Sequence, residues 1–61
     1  MNTSSDQGSA EQSTRLSILN DQWGVARWEL EARPDVGPVL VVTLDDGRVA
    51  EVERDGQWYY R

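Results

Sequence analysis

The carboxylates are the residues of this chain to consider first for chemistry. The sequence contains no cysteine and no histidine, so the usual thiol nucleophile and the usual general base are missing. Glu51 and Glu53 stand two residues apart in a strand-like segment, where their side chains would share one face. Asp45 and Asp46 stand together in a turn. A carboxylate pair hydrolyses a glycoside only within a cleft, and a small sheet rarely forms one. We therefore expect surface charges and no enzymatic activity.

Metal and cofactor sites are also not indicated. The segment Asp45-Asp46-Gly47 shares letters with a calcium loop, but the alternating ligands and the closing glutamate of such a loop are missing. An Asp-Gly pair is instead typical of a tight turn. Structural zinc requires cysteine or histidine ligands, and no glycine-rich phosphate loop is visible. The sequence predicts neither a metal nor a cofactor.

The charge balance favours a protein partner over a nucleic acid. Eleven acidic residues face six basic ones, for a formal net charge of −5, and all the basic residues are arginines. Affinity for nucleic acid comes from lysine and arginine side chains that neutralise phosphates. An acidic chain is attracted to basic surfaces instead. We expect no direct contact with nucleic acid and a partner protein with a basic surface.

The size of the chain favours association. Sixty-one residues, of which 38% are hydrophobic, make one small domain with a small core. Domains of this size usually need disulfides, a metal or a partner chain, and the composition leaves only the partner chain. That partner is another protein or a second copy in a homodimer. No stretch approaches the ~20 apolar residues of a membrane span and no secretory signal is visible, so we expect no membrane contact and a cytoplasmic location.

Two segments are distinguished by composition. Residues 1–14 are polar and almost free of apolar side chains, which is typical of a disordered tail. Residues 15–61 form a single small β-rich domain. Within it, "RPDVGP" at 33–38 is a loop, and strands are expected in "VLVVTL" at 39–44, "RVAEVER" at 48–54 and "QWYYR" at 57–61.

Residues 14–32 carry two overlapping patterns. Apolar side chains recur at helical spacing, at Leu16, Leu19, Trp23, Ala26 and Leu30. Ser13 or Thr14 would cap such a helix and Pro34 would end it. From position 25 on, apolar residues alternate with charged ones as in a half-buried strand, at Ala26, Trp28, Leu30 and Ala32. We interpret 25–32 as a strand and the fold as an all-β antiparallel meander of 3–5 strands. The alternative is an α+β fold, with one N-terminal helix packed on a three-stranded sheet.

Two Asp-Gly turns set the register of the meander. A two-residue type I′ turn at Asp55-Gly56 would pair Val52 with Tyr59. A three-residue loop ending at Gly47 would pair Val42 with Ala50. One face would then be the core and would contain Leu40, Val42, Ala50, Val52 and Tyr59. The opposite face would contain Val39, Val41, Thr43, Val49, Glu51, Glu53, Trp58 and Tyr60.

This second face is the predicted partner-binding surface, because a patch of aromatic and aliphatic side chains marks an interface. The candidate residues are Trp58, Tyr60, Glu51, Glu53, Val41 and Val49. In the alternative, the segment that contains Trp23 and Trp28 covers this face and makes it the core. The sequence thus indicates a small acidic protein–protein interaction module, an adaptor or an inhibitor. The sequence also fits two alternative functions: an acidic inhibitor that mimics nucleic acid, and a structural subunit of a homo-oligomer.

Overall fold

A computed structural model of the protein describes residues 9–61, which form one helix packed on a four-stranded antiparallel sheet. The elements are α1 (Ala10–Trp23), β1 (Val25–Glu31), β2 (Val39–Leu44), β3 (Val49–Val52) and β4 (Trp58–Tyr60). The strands lie in chain order, β1-β2-β3-β4. The expected antiparallel meander is confirmed, and the helix of the alternative interpretation is present as well.

Helix α1 begins at a capping box. The Ser9 hydroxyl oxygen accepts a hydrogen bond from the Gln12 N–H at 3.1 Å, and the Gln12 carboxamide oxygen accepts one from the Ser9 N–H at 2.9 Å. Two of the free N–H groups at the helix start are thereby paired. The predicted caps at Ser13 and Thr14 lie inside the helix and are wrong. The polar segment 1–14 was predicted to be a disordered tail, but its last five residues belong to the helix. Residues 1–8 lie outside the described part of the chain.

Gly24 separates α1 from β1. It has a φ of 80°, and its N–H donates to the Asn20 carbonyl at 3.0 Å, which closes the helix. The Asn20 side chain then accepts a hydrogen bond from the Val25 N–H at 3.0 Å, so the strand starts at once. The two overlapping patterns thus belong to consecutive elements. The strand expected at 25–32 is confirmed over Val25–Glu31.

The core lies between α1 and one face of the sheet, which we call the helix face. Its central residue from the helix is Leu19, which is fully buried. Because burial of apolar surface is the dominant favourable contribution to folding, this layer holds helix and sheet together. The buried cluster consists of Leu19, Leu40, Val42, Leu44, Ala50 and Val52, with Leu16, Val25, Leu30 and Trp58 packed against it. The helix therefore covers the face with Leu40 and Val42, and the alternative in which it covers the face with Val41 and Val49 is wrong.

The first hairpin has the predicted register. The Leu44 N–H donates to the Arg48 carbonyl at 2.8 Å, and Gly47 has a φ of 94°. This is a three-residue loop with glycine in the left-handed position. Val42 accordingly lies opposite Ala50, as expected.

The second hairpin has a different register from the predicted one. The Glu53 N–H donates to the Gln57 carbonyl at 2.7 Å, so this loop also has three residues. A type I′ turn needs a positive φ at both central residues, and only glycines have a positive φ among residues 9–61. Val52 therefore lies opposite Trp58. A shift of one residue turns every side chain of a strand to the other face, so the placement of Tyr59 in the core is wrong.

Candidate functional site

The six predicted partner-binding residues lie on two sides of the sheet. Glu51, Glu53, Val41 and Val49 lie on the face away from α1, which we call the open face. Trp58 and Tyr60 lie on the helix face, because β4 is shifted by one residue relative to the prediction. The structure therefore does not form the single patch that was expected. A role of these residues in binding stays a prediction, and they belong to two separate surfaces.

Glu51 is the centre of an ion-pair network on the open face. Only 8% of its surface is exposed. Arg33 Nη1 lies 3.1 Å from Glu51 Oε1, and Arg61 Nη2 lies 2.8 Å from Glu51 Oε2. The hydrogen bond from Arg33, followed by that from Arg61, lowers the pKa of the Glu51 carboxyl despite its burial. Glu51 is thus an internally paired charge and not a free rim residue.

Neighbouring side chains extend this network. Arg33 also pairs with Glu31. The Tyr59 hydroxyl donates to Glu53 Oε2 at 3.2 Å and lies 3.4 Å from Glu51 Oε1. Partial desolvation and the bond to Glu53 raise the pKa of the Tyr59 phenol. These polar side chains cover the sheet, so that Val41, also on this face, is buried. The open face therefore offers little free apolar surface.

An aromatic cluster lies on the helix side, at the β4 edge. We define it as Trp23, Trp58, Tyr60 and Arg48. The ring centroids of Trp58 and Tyr60 are 5.1 Å apart in an edge-to-face arrangement, and those of Trp23 and Trp58 are 6.3 Å apart. The Arg48 guanidinium lies 4.8 Å from the Tyr60 ring centroid and 5.5 Å from that of Trp23. Arg48 thus joins the end of α1 to β4 through two cation–π contacts.

The position of Arg48 is fixed by Asp46. Arg48 Nε lies 2.6 Å from Asp46 Oδ2, and the Arg48 backbone N–H donates to Asp46 Oδ1 at 3.0 Å. The bond from the backbone N–H is the main cause that lowers the pKa of Asp46. Sequence reasoning missed this role of Arg48. This role depends on the register of the second hairpin, which was predicted wrongly. In the observed register Tyr60 lies opposite Ala50, so it is a diagonal neighbour of position 48.

A groove adjoins the aromatic cluster, between the start of α1 and the loop before β4. It has a volume of about 530 Å³. The Arg15 guanidinium lies 5.7 Å from the Trp58 ring centroid, and within residues 9–61 the buried Arg15 Nε has no hydrogen-bond acceptor. The groove thus combines apolar side chains with two carboxylates and one arginine. Its lining consists of Ala10, Glu11, Thr14, Arg15, Ile18, Asp55, Gly56, Gln57 and Trp58.

Residues 9–61 contain neither a metal-binding cluster of side chains nor a membrane-spanning helix. No group of three or more acidic side chains among residues 9–61 is placed to hold a metal ion. In the same part of the chain, no helix has the length and apolar character needed to cross a membrane. The aromatic cluster and the adjoining groove form the candidate site.

Comparison with known proteins gives no identification. No protein family model matches the chain, and no curated protein or solved structure matches it. Because function depends on sites rather than on folds, it is inferred here from the geometry and chemistry of the aromatic cluster.

Proposed function

We propose that this chain is a small protein-binding module, an adaptor or an inhibitor, that binds its partner through the aromatic cluster. The observation that carries the proposal is the concentration of exposed apolar side chains at this one place. Trp23, Tyr60 and Ile18 are all exposed. The rings of Trp23 and Tyr60 lie beside the half-buried Trp58, and Ile18 lines the same groove as Trp58. Contiguous exposed apolar surface marks interaction sites, and tryptophan and tyrosine are the usual anchors of interfaces.

The order within the cluster supports this role. Binding loses free energy when side chains must be immobilised, at about 0.5–1.5 kcal/mol for each flexible one. Here the rings of Trp58 and Tyr60 already contact each other, and Arg48 lies against Tyr60 and Trp23. Aromatic side chains also have few rotatable bonds. The surface is thus arranged before the partner arrives.

Charge indicates the chemistry of the partner. Glu11 and Asp55, against the single arginine Arg15, line the groove next to Ile18 and Trp58, and the whole chain has a formal net charge of −5. Acidic groups around an apolar contact steer a basic partner and fix its orientation. The proposed partner is therefore a protein segment with an apolar side chain for the groove and a lysine or arginine beside it.

Tyr59 and Tyr60 provide a matched test of this surface. They are adjacent, they are 44% and 43% exposed, and they point to opposite faces of the sheet. Binders are selected from a displayed library of random peptides, and their affinity is measured for Tyr60→Ser and for Tyr59→Ser. We expect Tyr60→Ser to weaken binding at least tenfold, because truncation of a central aromatic anchor costs about 2 kcal/mol or more. Tyr59→Ser should leave it within about twofold.

Equal losses in both variants, or a loss in Tyr59→Ser alone, would contradict the proposal. A cooperative urea-unfolding transition with the slope of the wild type confirms that both variants are folded. The same selection also addresses mimicry of nucleic acid, since that mode predicts binding that disappears at high salt. Arg33 and Arg61 pair with Glu51 at the centre of the open face, which gives mimicry less support. Binding through the aromatic cluster should persist at high salt.

A further inference from the structure

Strand β1 forms a free edge of the sheet, since β2 is its only neighbour among the described strands. In an antiparallel pair, opposed residues alternate between those that exchange backbone hydrogen bonds and those that do not. The Leu44 N–H donates to the Arg48 carbonyl, so the even-numbered residues of β2 direct their backbone groups to β3. The odd-numbered residues of β2 consequently direct theirs to β1.

The outward backbone groups of β1 follow from this alternation. Arg27 lies opposite Thr43 and Glu29 lies opposite Val41, so both use their backbone groups inside the sheet. Trp28 and Leu30 alternate with them and direct their N–H and C=O groups away from the sheet. An exposed row of such groups is a template for pairing with another strand.

The side chains of β1 are complementary to those of a second β1 strand that runs antiparallel to it. Arg27 and Glu29 are both exposed, and neither takes part in an ion pair with another residue in 9–61. They lie on one face of the strand, on either side of Trp28. Trp28 is 38% exposed on the other face. One strand therefore presents a positive charge, an aromatic ring and a negative charge in succession.

We propose that two copies of this chain form a homodimer by antiparallel pairing of β1 with β1, with the two-fold axis at Trp28. Trp28 then faces Trp28 of the second copy and exchanges backbone hydrogen bonds with it. Arg27 lies opposite Glu29 of the second copy, twice by symmetry. On the helix side, Ala26 lies opposite Leu30. Opposite charges and apolar pairs placed directly across strands stabilise a sheet.

The neighbouring two-fold registers are unfavourable. A two-fold axis at Arg27 places two arginines opposite each other, and an axis at Glu29 does the same with two glutamates. An axis at Leu30 places Glu29 opposite Glu31. Like charges directly opposite each other destabilise strand pairing, and among the registers centred on residues 27 to 30 the one centred on Trp28 places no like charges opposite each other.

The bulge in β1 limits the strength of this contact. The register with β2 shifts between Val25 and Arg27, and such bulges bend a strand and interrupt pairing. The regular contact is therefore short and lies around Trp28. A dimer that dissociates on dilution is expected, and it would join two sheets into one.

Charge reversal tests the register. The mass of the wild-type chain is measured by analytical ultracentrifugation across a concentration series, together with Arg27→Glu and Glu29→Arg. Each single variant places like charges opposite each other twice, so its dimer dissociation constant should rise roughly tenfold or more. An equimolar mixture of the two variants should dimerise again, since each pair then joins opposite charges. The double variant R27E/E29R should also dimerise like the wild type.

Variants elsewhere control for net charge. Arg54→Glu and Asp35→Arg change the charge equally at exposed positions outside β1 and should leave dimerisation unchanged. A wild-type chain that stays monomeric throughout the series overturns the proposal. So do single variants that dimerise like the wild type, or a mixture that stays monomeric. All samples are checked for folding by circular dichroism.

This inference goes beyond the proposed function, because it concerns the edge opposite to β4. The two tests are therefore separable. A monomeric Arg27→Glu chain should still bind selected peptides in a Tyr60-dependent manner, and a Tyr60→Ser chain should still dimerise.

Discussion

Gln12 shows how one buried polar side chain connects the helix to the sheet. Its carboxamide nitrogen donates to the carbonyl oxygen of Pro38 at 2.9 Å and to that of Val52 at 3.0 Å. Its oxygen meanwhile accepts from Ser9, as part of the helix cap. Both hydrogen-bonding ends of the side chain are thereby used in a position without solvent exposure.

Replacement of Gln12 should therefore lower the stability of the fold. Gln12→Ala leaves the Pro38 carbonyl and the buried Val52 carbonyl without their donor, and we expect the free energy of unfolding to fall by about 2–4 kcal/mol. Gln22→Ala is the matched control, because it makes the same change at an exposed position of the same helix. Urea denaturation of both variants measures the difference. Equal losses of unfolding free energy in the two variants would show that the hydrogen bonds of Gln12 do not stabilise the fold.

Glu51 should make the stability depend on pH in the acidic range. Its folded-state pKa is lowered by Arg33 and Arg61 from an ordinary value of 4.5. A carboxyl with a depressed pKa stabilises the fold fully above its unfolded pKa, and this contribution is lost as the pH falls through the folded pKa. We expect the free energy of unfolding to decrease below about pH 4.5, and Glu51→Gln to reduce this decrease.

Asp35→Asn is the control for this measurement. It removes an exposed carboxyl that has no ion-pair partner in residues 9–61. Urea denaturation between about pH 3 and 7 compares the two variants. A Glu51→Gln profile as steep as that of the wild type would mean that the network around Glu51 does not couple to folding.

At the scale of the elements, the two hairpin loops are built alike although only one was predicted correctly. In each, an aspartate side chain accepts a hydrogen bond from the backbone N–H two residues later, Asp46 from Arg48 and Asp55 from Gln57, both at 3.0 Å. An Asp-Gly pair fits a two-residue turn and a three-residue loop, so the local sequence does not decide between them. At the second loop the helix makes tertiary contacts, since the Ser9 hydroxyl donates to the Arg54 carbonyl at 2.7 Å.

The two loop glycines give a matched prediction. Gly47 and Gly56 have φ values of 94° and 95°, so alanine at either position should cost about 1 kcal/mol. A Cβ at position 47 meets nothing within 4 Å, whereas one at position 56 would lie 3.3 Å from the Glu11 Cβ. We therefore expect Gly56→Ala to lower the melting temperature more than Gly47→Ala does. A larger loss in Gly47→Ala would contradict the contact between this loop and α1.

The sequence indicated both a helix and a strand within residues 14–32, but the apolar pattern alone did not show where the helix ends and the strand begins. Apolar spacing continues through position 30, so periodicity gave no boundary at Gly24. The start of α1 had a readable signal, the capping box formed by Ser9 and Gln12, which lies in a segment whose composition indicates disorder. The aromatic cluster could not be predicted, because it depends on the register of β4 and on the end of α1 together.

At the scale of the whole molecule, the two faces of the sheet have different roles. One is covered by α1, and the other is covered by the charges around Glu51, so exposed aromatic side chains remain mainly at the two edges. The β4 edge carries the aromatic cluster and the β1 edge carries Trp28. A dimer through β1 would display two binding surfaces, which raises the avidity for a repeated partner without any new contact.

The dimer should also be visible in thermal unfolding. Association of folded chains stabilises them by mass action, so the melting temperature should rise with protein concentration. The rise should be absent in Arg27→Glu over the same range. A wild-type melting temperature that is independent of concentration would agree only with a monomer.

The hydrogen bonds between the start of the helix and the last hairpin have a kinetic consequence. Ser9 and Arg54 are 45 residues apart in sequence, and Gln12 and Val52 are 40 apart, whereas the strands pair with their sequence neighbours. Closure of a long loop costs entropy before its contacts can compensate. The hairpins should therefore form early and the helix should dock late, so that the contacts of Ser9 and Gln12 determine how long the folded state persists rather than how quickly it is reached.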